Sequence, residues 1–362
     1  MIYGEITQKL SLWLWPRSLK PWPRQWAERW GGWILYGGFV AILLWEELWN
    51  LENVAYLSGW LLVIITAGAM ICSVLFERRF WCRYLCPIGG MNGLFAKLSM
   101  TELRAQKGIC SATCNTYHCY KGGPAEGEGQ GTNGCPVYSH PAQLSDNRNC
   151  VLCMTCLKAC PHHSVELNRR PPGIELWTTP NATAYEVALL LLLWGAVLLH
   201  RLPELTTLVL GSDLILDGFL GHAIAALIAL SIPVIITLLA HQLVRLLNPT
   251  FKPRPFITLA YGYLPLVLFS NLAHYLQMGL TEAGQVIPLS LATIGQPIGT
   301  TASLVWMAHP AVISFLQGTC LIAGVILSGL LIQKVARQPF LKLLPQHIAT
   351  VLLAVLTWQL VL

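Results

Sequence analysis

"VAYLSGWLLVIITAGAMICSVLF", residues 54–76, runs for twenty-three residues without a formal charge. About 20 mostly apolar residues carry a helix across the hydrocarbon core of a bilayer, so this stretch predicts a membrane span. It is followed at once by "ERRFWCRYLCPIGG", residues 77–90, with three arginines and two cysteines. The fold therefore turns on how many such spans the chain holds and on what lies between them.

Hydrophobic residues make up 54% of the chain and charged residues 11%, against about 25% charged residues in a soluble domain. Apolar runs at 32–49, 54–76, 182–200, 218–244, 256–280, 304–333 and 346–362 predict a mostly α polytopic membrane protein with about seven transmembrane helices. Lys and Arg are retained on the cytoplasmic side of a membrane. With the N-terminus inside, the inner segments 1–31, 77–181, 245–255 and 334–345 hold 22 of the 23 basic residues, and only Arg201 falls outside. The outer loops hold Glu46, Glu47, Glu52, Glu204, Asp213, Asp217 and Glu282. The net charge of +6 is thereby explained by topology, without nucleic acid. A bacterial inner (plasma) or internal membrane is the expected location, with the C-terminus outside.

Four regions follow. Residues 1–31 form a basic, Trp-rich segment, which does not read as a cleavable signal because Lys9, Arg17, Lys20, Arg24, Arg29 and three prolines interrupt it. Its "LWLWPRSLKPWPRQWAERWGGW" interleaves Trp with cations and predicts an interfacial anchor on membrane lipid. Residues 32–76 form a two-helix hairpin, 77–181 a cytoplasmic Cys-rich insert, and 182–362 a five-helix membrane module.

Ten of the twelve cysteines lie between Cys82 and Cys160, so they serve one local site. In a reducing compartment clustered cysteines bind metal or do redox chemistry more often than they form structural disulfides. "RNCVLCMTCLKACPHH", residues 148–163, spaces Cys150, Cys153, Cys156 and Cys160 as C-x2-C-x2-C-x3-C before Pro161. This is the bacterial ferredoxin run, whose fourth cysteine ligates the other [4Fe–4S] cluster of a pair. Zinc ribbons pair two C-x2-C knuckles across a longer gap and fit the spacing poorly. A second set, Cys110, Cys114, Cys119 and Cys135, follows a stretched C-x3-C-x4-C-x15-C-P plan. Crossing the fourth ligands as ferredoxins do gives one cluster to Cys110, Cys114, Cys119 and Cys160, and the other to Cys150, Cys153, Cys156 and Cys135. The insert is expected to be a small α+β ferredoxin-like domain. The Gly-rich "KGGPAEGEGQGTNG", residues 121–134, lacks the strand and helix that a dinucleotide fingerprint needs.

Cys82 and Cys86 lie four apart just inside the second span, on one face of a helix turn that Pro87 would end. They are candidate cluster ligands or a thiol pair. A C-x3-C-P motif directly after a transmembrane helix, with ferredoxin cysteine motifs in the same chain, resembles the membrane-bound [4Fe–4S] polyferredoxins of the NapH, NosR and CcoG type over about residues 54–175. The resemblance implies electron delivery to, or maturation of, respiratory metalloenzymes. The chain departs from that pattern in having one juxtamembrane motif, an irregular first ferredoxin motif and no large extracytoplasmic flavin domain.

In the membrane module, His200, His222, His274 and His309 map to the outer half of the spans, and His241 and His347 nearer the inner side. Ionisable residues in a membrane call for a functional hypothesis. Paired histidines are candidate haem b ligands. His274 and Met278, with Met307 and His309, are candidate copper ligands, and the histidines also suit a quinone headgroup. The bland alternative is an interfacial histidine bonded to backbone or water. Cys72 and Cys320 read as small packing residues.

The leading function is membrane-bound iron–sulfur electron transfer, as a carrier or a quinone or metal oxidoreductase. Electrons would pass from a soluble donor such as ferredoxin or flavodoxin to a redox partner in the membrane. Lys107, Lys121, Arg148, Lys158, Arg169 and Arg170 offer an acidic donor a basic face. The alternatives are a redox sensor, an assembly factor for a membrane metalloenzyme, a zinc-stabilised scaffold and a transporter.

Overall fold

Apolar stretches without charge become long helices, and the cysteine stretches become short helices joined by irregular loops. The computed structural model describes residues 2–51, 53–123, 131–212, 218–248, 253–295 and 305–362. Glu52, Asp213 and Asp217 of the expected outer loops, residues 249–252 of an inner one, residues 124–130 of the Gly-rich loop and residue 304 of the sixth run lie outside the described residues. The chain divides into two compact units, Met1–Leu189 and Leu190–Leu362.

In the first unit, α1 (Ile2–Leu14) lies along α3 (Ala55–Leu75). The Gln8 side chain donates to the Ser73 carbonyl at 2.6 Å, and Arg17 to that of Val74 at 3.1 Å. These bonds use carbonyls that the end of α3 leaves without helical partners. The outward side of α1 shows Ile2, Ile6, Leu10 and Trp13, as an interfacial helix would. Trp22 departs from the anchor expected of its segment. It is buried with Ala27, Phe80 and Tyr84, its ring 5.7 Å from Phe80, 5.6 Å from Tyr84 and 4.8 Å from Tyr138, all edge-on. Such pairs add about 0.5–1.5 kcal/mol each beyond area burial, and here they join the N-terminal segment to the cysteine region.

Between α2 (Arg24–Leu48), α3 and the cysteine loops sit α4 (Phe80–Tyr84) and α5 (Pro87–Phe95). Strands β1 (Thr101–Ala105) and β2 (Val165–Arg169) pair antiparallel, with Leu103 opposite Leu167 and Ala105 opposite Val165. Helices α6 (Lys107–Thr113), α7 (His118–Lys121) and α8 (Thr155–Ala159) lie between the strands in sequence, and α9 (Ile174–Thr178) follows them. This is the small α+β insert.

In the second unit, α10 (Ala184–Leu199, shared with the first) and α11 (Leu202–Leu210) meet at 76°. Pro203 in the first turn of α11 accounts for the break, since proline cannot donate to a preceding turn. After α12 (Phe219–Leu247) come α13 (Phe256–Leu259), α14 (Leu264–Glu282), α15 (Val286–Thr293), α16 (Pro310–Ala336) and α17 (Leu344–Val361). Polar side chains join them: Ser328 Oγ accepts from the Leu266 N–H at 2.8 Å, Gln317 donates to the Ala273 carbonyl at 3.0 Å, and the Tyr263 hydroxyl donates to Gln346. Small and polar contacts of this kind hold helices together where lipid removes the hydrophobic drive.

Among the described residues five helical stretches are long and apolar enough to cross a membrane: Ala55–Leu75, Phe219–Leu247, Phe256–Thr293, Pro310–Ala336 and Phe340–Val361. The bent α10–α11 pair makes a sixth if counted as one span. Seven were predicted. The run at 32–49 is absent from this set because α2, which contains it, carries Arg24, Glu28 and Arg29 at its start and Glu46 and Glu47 at its end. The chain is a mostly helical, polytopic membrane protein.

Candidate metal centre

Cys135, Cys150, Cys153 and Cys156 line one cavity, walled by Leu103, Val137, Pro141, Leu144, Val151 and Leu152. Thiols that lie far apart in sequence thus face a common apolar space. Burial, then Cys150, Cys153 and Cys135, pushes the Cys156 thiol up to about 12. Burial likewise raises Cys150, against the pull of the Leu152 N–H and of Arg104. The other four cysteines are also neighbours. Burial, then Cys114 and Cys160, raises Cys110, while burial followed by Cys156, Cys160, Cys114 and Cys110 pushes Cys119 up to about 12. Cys156 is first among the thiols that raise Cys119, so the two sets lie near one another.

Crowded, half-buried thiols stay protonated unless a cation compensates them, so the donor chemistry fits a soft metal centre that takes thiolates. Among the described residues no three His, Cys, Asp or Glu side chains converge tightly enough to hold a single metal ion. A [4Fe–4S] cube does not require that convergence, because each of its four thiolates takes a different iron.

The loop backbones are shaped around the sulfurs. Tyr117, Leu152, Met154 and His163 hold left-handed φ values of 56°, 47°, 59° and 47°, which non-glycine residues adopt rarely and mostly where a site demands it. The left-handed turn at Leu152 accompanies its N–H bond to Cys150. The Ser139 N–H donates to Cys135 Sγ at 3.3 Å. Cys160 titrates below its ordinary value: burial raises it, but the Ser164 hydroxyl and the N–H groups of Ser164, His162 and Val165 outweigh that. Hydrogen bonds to cluster sulfurs are among the levers that set a reduction potential.

Arginines fix the cysteine loops. Arg78 Nη1 donates to the carbonyls of Asn133 at 2.6 Å and Cys135 at 2.8 Å, and its Nη2 to that of Lys121 at 2.6 Å. Arg83 donates to the carbonyls of Val137 and Tyr138. Gly134, φ 74°, sits where a Cβ would be 2.5 Å from the Tyr120 carbonyl oxygen. Gly134→Ala therefore displaces Cys135, and we expect the variant to lose about half its iron when assayed beside the wild type. Full iron content in that variant would show that the Cys135 loop tolerates the shift.

Cys82 lies on α4, and Cys86 is the N-cap of α5 with Pro87 as its first residue. Pro87 thus starts a helix where the sequence suggested it would end one, because proline suits the first helical position. Burial, then Cys86, raises the Cys82 thiol to about 11, against the pull of Arg79.

The six-residue basic face expected from the sequence is divided. Arg170 pairs with Glu175 and, at 3.3 Å, with Glu102, its side chain 4% exposed. Arg148 pairs with Glu186 at 2.8 Å and bonds the Tyr185 hydroxyl. Lys97, 2% exposed, holds Glu186 at 2.6 Å and Asp146 at 3.2 Å. Arg148 and Arg170 thus belong to ion pairs with Glu102 of β1, Glu175 of α9 and Glu186 of α10.

Several membrane histidines have partners within the protein. His274 stacks on His200, ring centroids 5.3 Å apart and 21° from parallel. His309 Nδ1 accepts from the Ala311 N–H at 3.2 Å and so caps α16. Met278 and Met307 are exposed. His347 bonds Gln333 at 2.7 Å and stacks on Phe340, and His241 lies edge-on to Phe256. Cys72 and Cys320 pack against apolar clusters.

Residues 58–104 match the family described as a 4Fe-4S binding domain, a stretch that includes Cys82 and Cys86. The putative electron transport protein YccM of Escherichia coli is 30% identical over 100 residues, 27% of this chain and 24% of that protein. The methylamine utilization ferredoxin-type protein MauN of Paracoccus denitrificans is 26% identical over 104 residues, 24% of this chain and 36% of that protein. Protein NirI of the same organism is 27% identical over 112 residues, 31% of this chain and 14% of that protein. The chain thus spans well under half the length of each of these relatives. No solved structure matches it. The chain is a mostly helical membrane protein in which residues 58–104 match a 4Fe-4S binding domain and about a quarter to a third of the length resembles proteins named as an electron transport protein and a ferredoxin-type protein.

Proposed function

We propose that the chain carries electrons from a soluble cytoplasmic donor to an acceptor in the membrane through two [4Fe–4S] clusters. Cys110, Cys114, Cys119 and Cys160 hold one, and Cys135, Cys150, Cys153 and Cys156 the other. When bound, each cluster supplies a one-electron redox couple. The chain's part is to hold the thiolates, exclude water with Leu103, Val137 and Leu144, and aim N–H groups at the sulfurs. The observation that carries this reading is the single apolar cavity lined by four cysteines from two separated stretches. The influence of Cys156 on the Cys119 thiol supports a close approach of the two sets, which favours exchange between them. Cys82 and Cys86, in the stretch that matches the family, stand between this region and α3 as ligands or as a thiol pair.

An anaerobic optical titration of the purified protein tests the reading. We expect a one-electron slope of about 59 mV per decade. A slope of about 30 mV per decade with no iron would assign the redox chemistry to a cysteine pair.

A further inference from the structure

Cys153 is the exposed member of its set. Besides the apolar cavity it borders a second, open cleft, whose wall also contains Lys9 of α1, Arg78, Arg79 and Lys158 of α8. Among the described residues the lining holds these four cations against one carboxylate, Glu5, which is bridged to Arg79 at 2.6 Å. Lys9 and Lys158 make no ion pair among the described residues. Arg148 and Arg170 are held in ion pairs, whereas this cleft sets the exposed Lys158 beside the exposed Cys153.

We propose that the cleft docks an acidic soluble protein that carries single electrons. The inference rests on the electron-transfer reading above and names the partner's docking surface. Charge complementarity selects an anionic partner and raises association rates by about 10–10³. Among the described residues no aromatic side chain lines the cleft, which offers a free flavin or nicotinamide no ring to stack on there, whereas an acidic loop of a protein needs only the cations. A lipid headgroup would be served by Lys9 and Arg79 beside the end of α3. It would leave unexplained the reach of the cleft to Thr155, Lys158 and Cys153. In the docked pair the partner's centre loses one electron and the Cys135, Cys150, Cys153 and Cys156 site gains it, with no bond made or broken.

The test uses the full chain in phosphatidylcholine nanodiscs and, as probe, a plant-type [2Fe–2S] ferredoxin of strongly negative net charge. The Kd of the oxidised probe and the second-order rate with the reduced probe are both measured against salt. Lys9→Glu/Lys158→Glu is expected to weaken binding and slow the second-order step by about tenfold or more at low salt, and to flatten the salt dependence. Lys158 lies between two candidate ligands, so Lys9→Glu alone is the second variant, with a loss of at least about threefold. Unchanged Kd and rate in variants of unchanged iron content would overturn the proposal. So would displacement of the probe when phosphatidylglycerol replaces phosphatidylcholine at constant ionic strength, which would assign the cleft to lipid. Iron-free protein that still binds the probe through Lys9 and Lys158 would sink the electron-transfer reading while leaving the docking surface standing.

Discussion

Lys97→Met is expected to destabilise the protein by about 3–5 kcal/mol, the cost of breaking a buried ion pair from one side. The side chain of Lys97 is 2% exposed and that of Glu186 3%, so removing the cation leaves Glu186 and Asp146 without a shared buried counter-charge. Equilibrium denaturation in detergent, compared with the wild type, reads the loss. The double variant Lys97→Met/Glu186→Gln is expected to recover much of it, because both charges then leave together. A single-variant effect below about 1 kcal/mol, the range of an exposed pair, would mean that water reaches Lys97. The pair joins the segment before β1 to the first turn of α10, so its loss is expected to loosen the cysteine region where it meets the membrane helix.

Cys156→Ser is expected to halve the iron and acid-labile sulfide of the anaerobically purified protein and to remove one of two reducible EPR signals. Cys156 lines the apolar cavity and adjoins Cys150, Cys153 and Cys135. Its hydroxyl replacement is a poor ligand for a soft cluster iron. Cys119→Ser, in the other set, is expected to remove the complementary signal. Full iron content in either variant would take that residue out of the ligand set. Loss of the same signal in both would show that the eight cysteines are not divided as the crossed ferredoxin plan divides them.

The spacing of Cys150, Cys153, Cys156 and Cys160 was legible because ligand spacing is local, and the apolar runs were legible because a span is defined by composition. Less could be read where a residue's partner is distant in sequence. Arg78, Arg79 and Arg83 read as positive charge beside a span. The sequence does not tell whether a guanidinium meets lipid phosphate or the carbonyls of residues some fifty positions on, as Arg78 does. Trp22 was read with its neighbours as an interfacial ring, yet it is enclosed by Phe80 and Tyr84, which pattern alone does not bring to it. Pro87 was read as a terminator, although at the first position of α5 it starts a helix. His200, His222, His274 and His309 were grouped by depth; within that set the structure stacks His274 on His200 and has His309 cap α16. The glycine before Cys135 carried a readable signal, since G-C-P before a ligand suggests a tight turn, and its left-handed φ shows why no other residue suits it.

The measurement that bears most directly on the central claim is metal analysis of the full chain, purified anaerobically in detergent, with EPR before and after dithionite. Two clusters held by eight cysteines predict about eight iron and eight acid-labile sulfide per chain, with interacting S = 1/2 signals after reduction. Zinc without sulfide would contradict the account and leave a metal-stabilised membrane scaffold in its place.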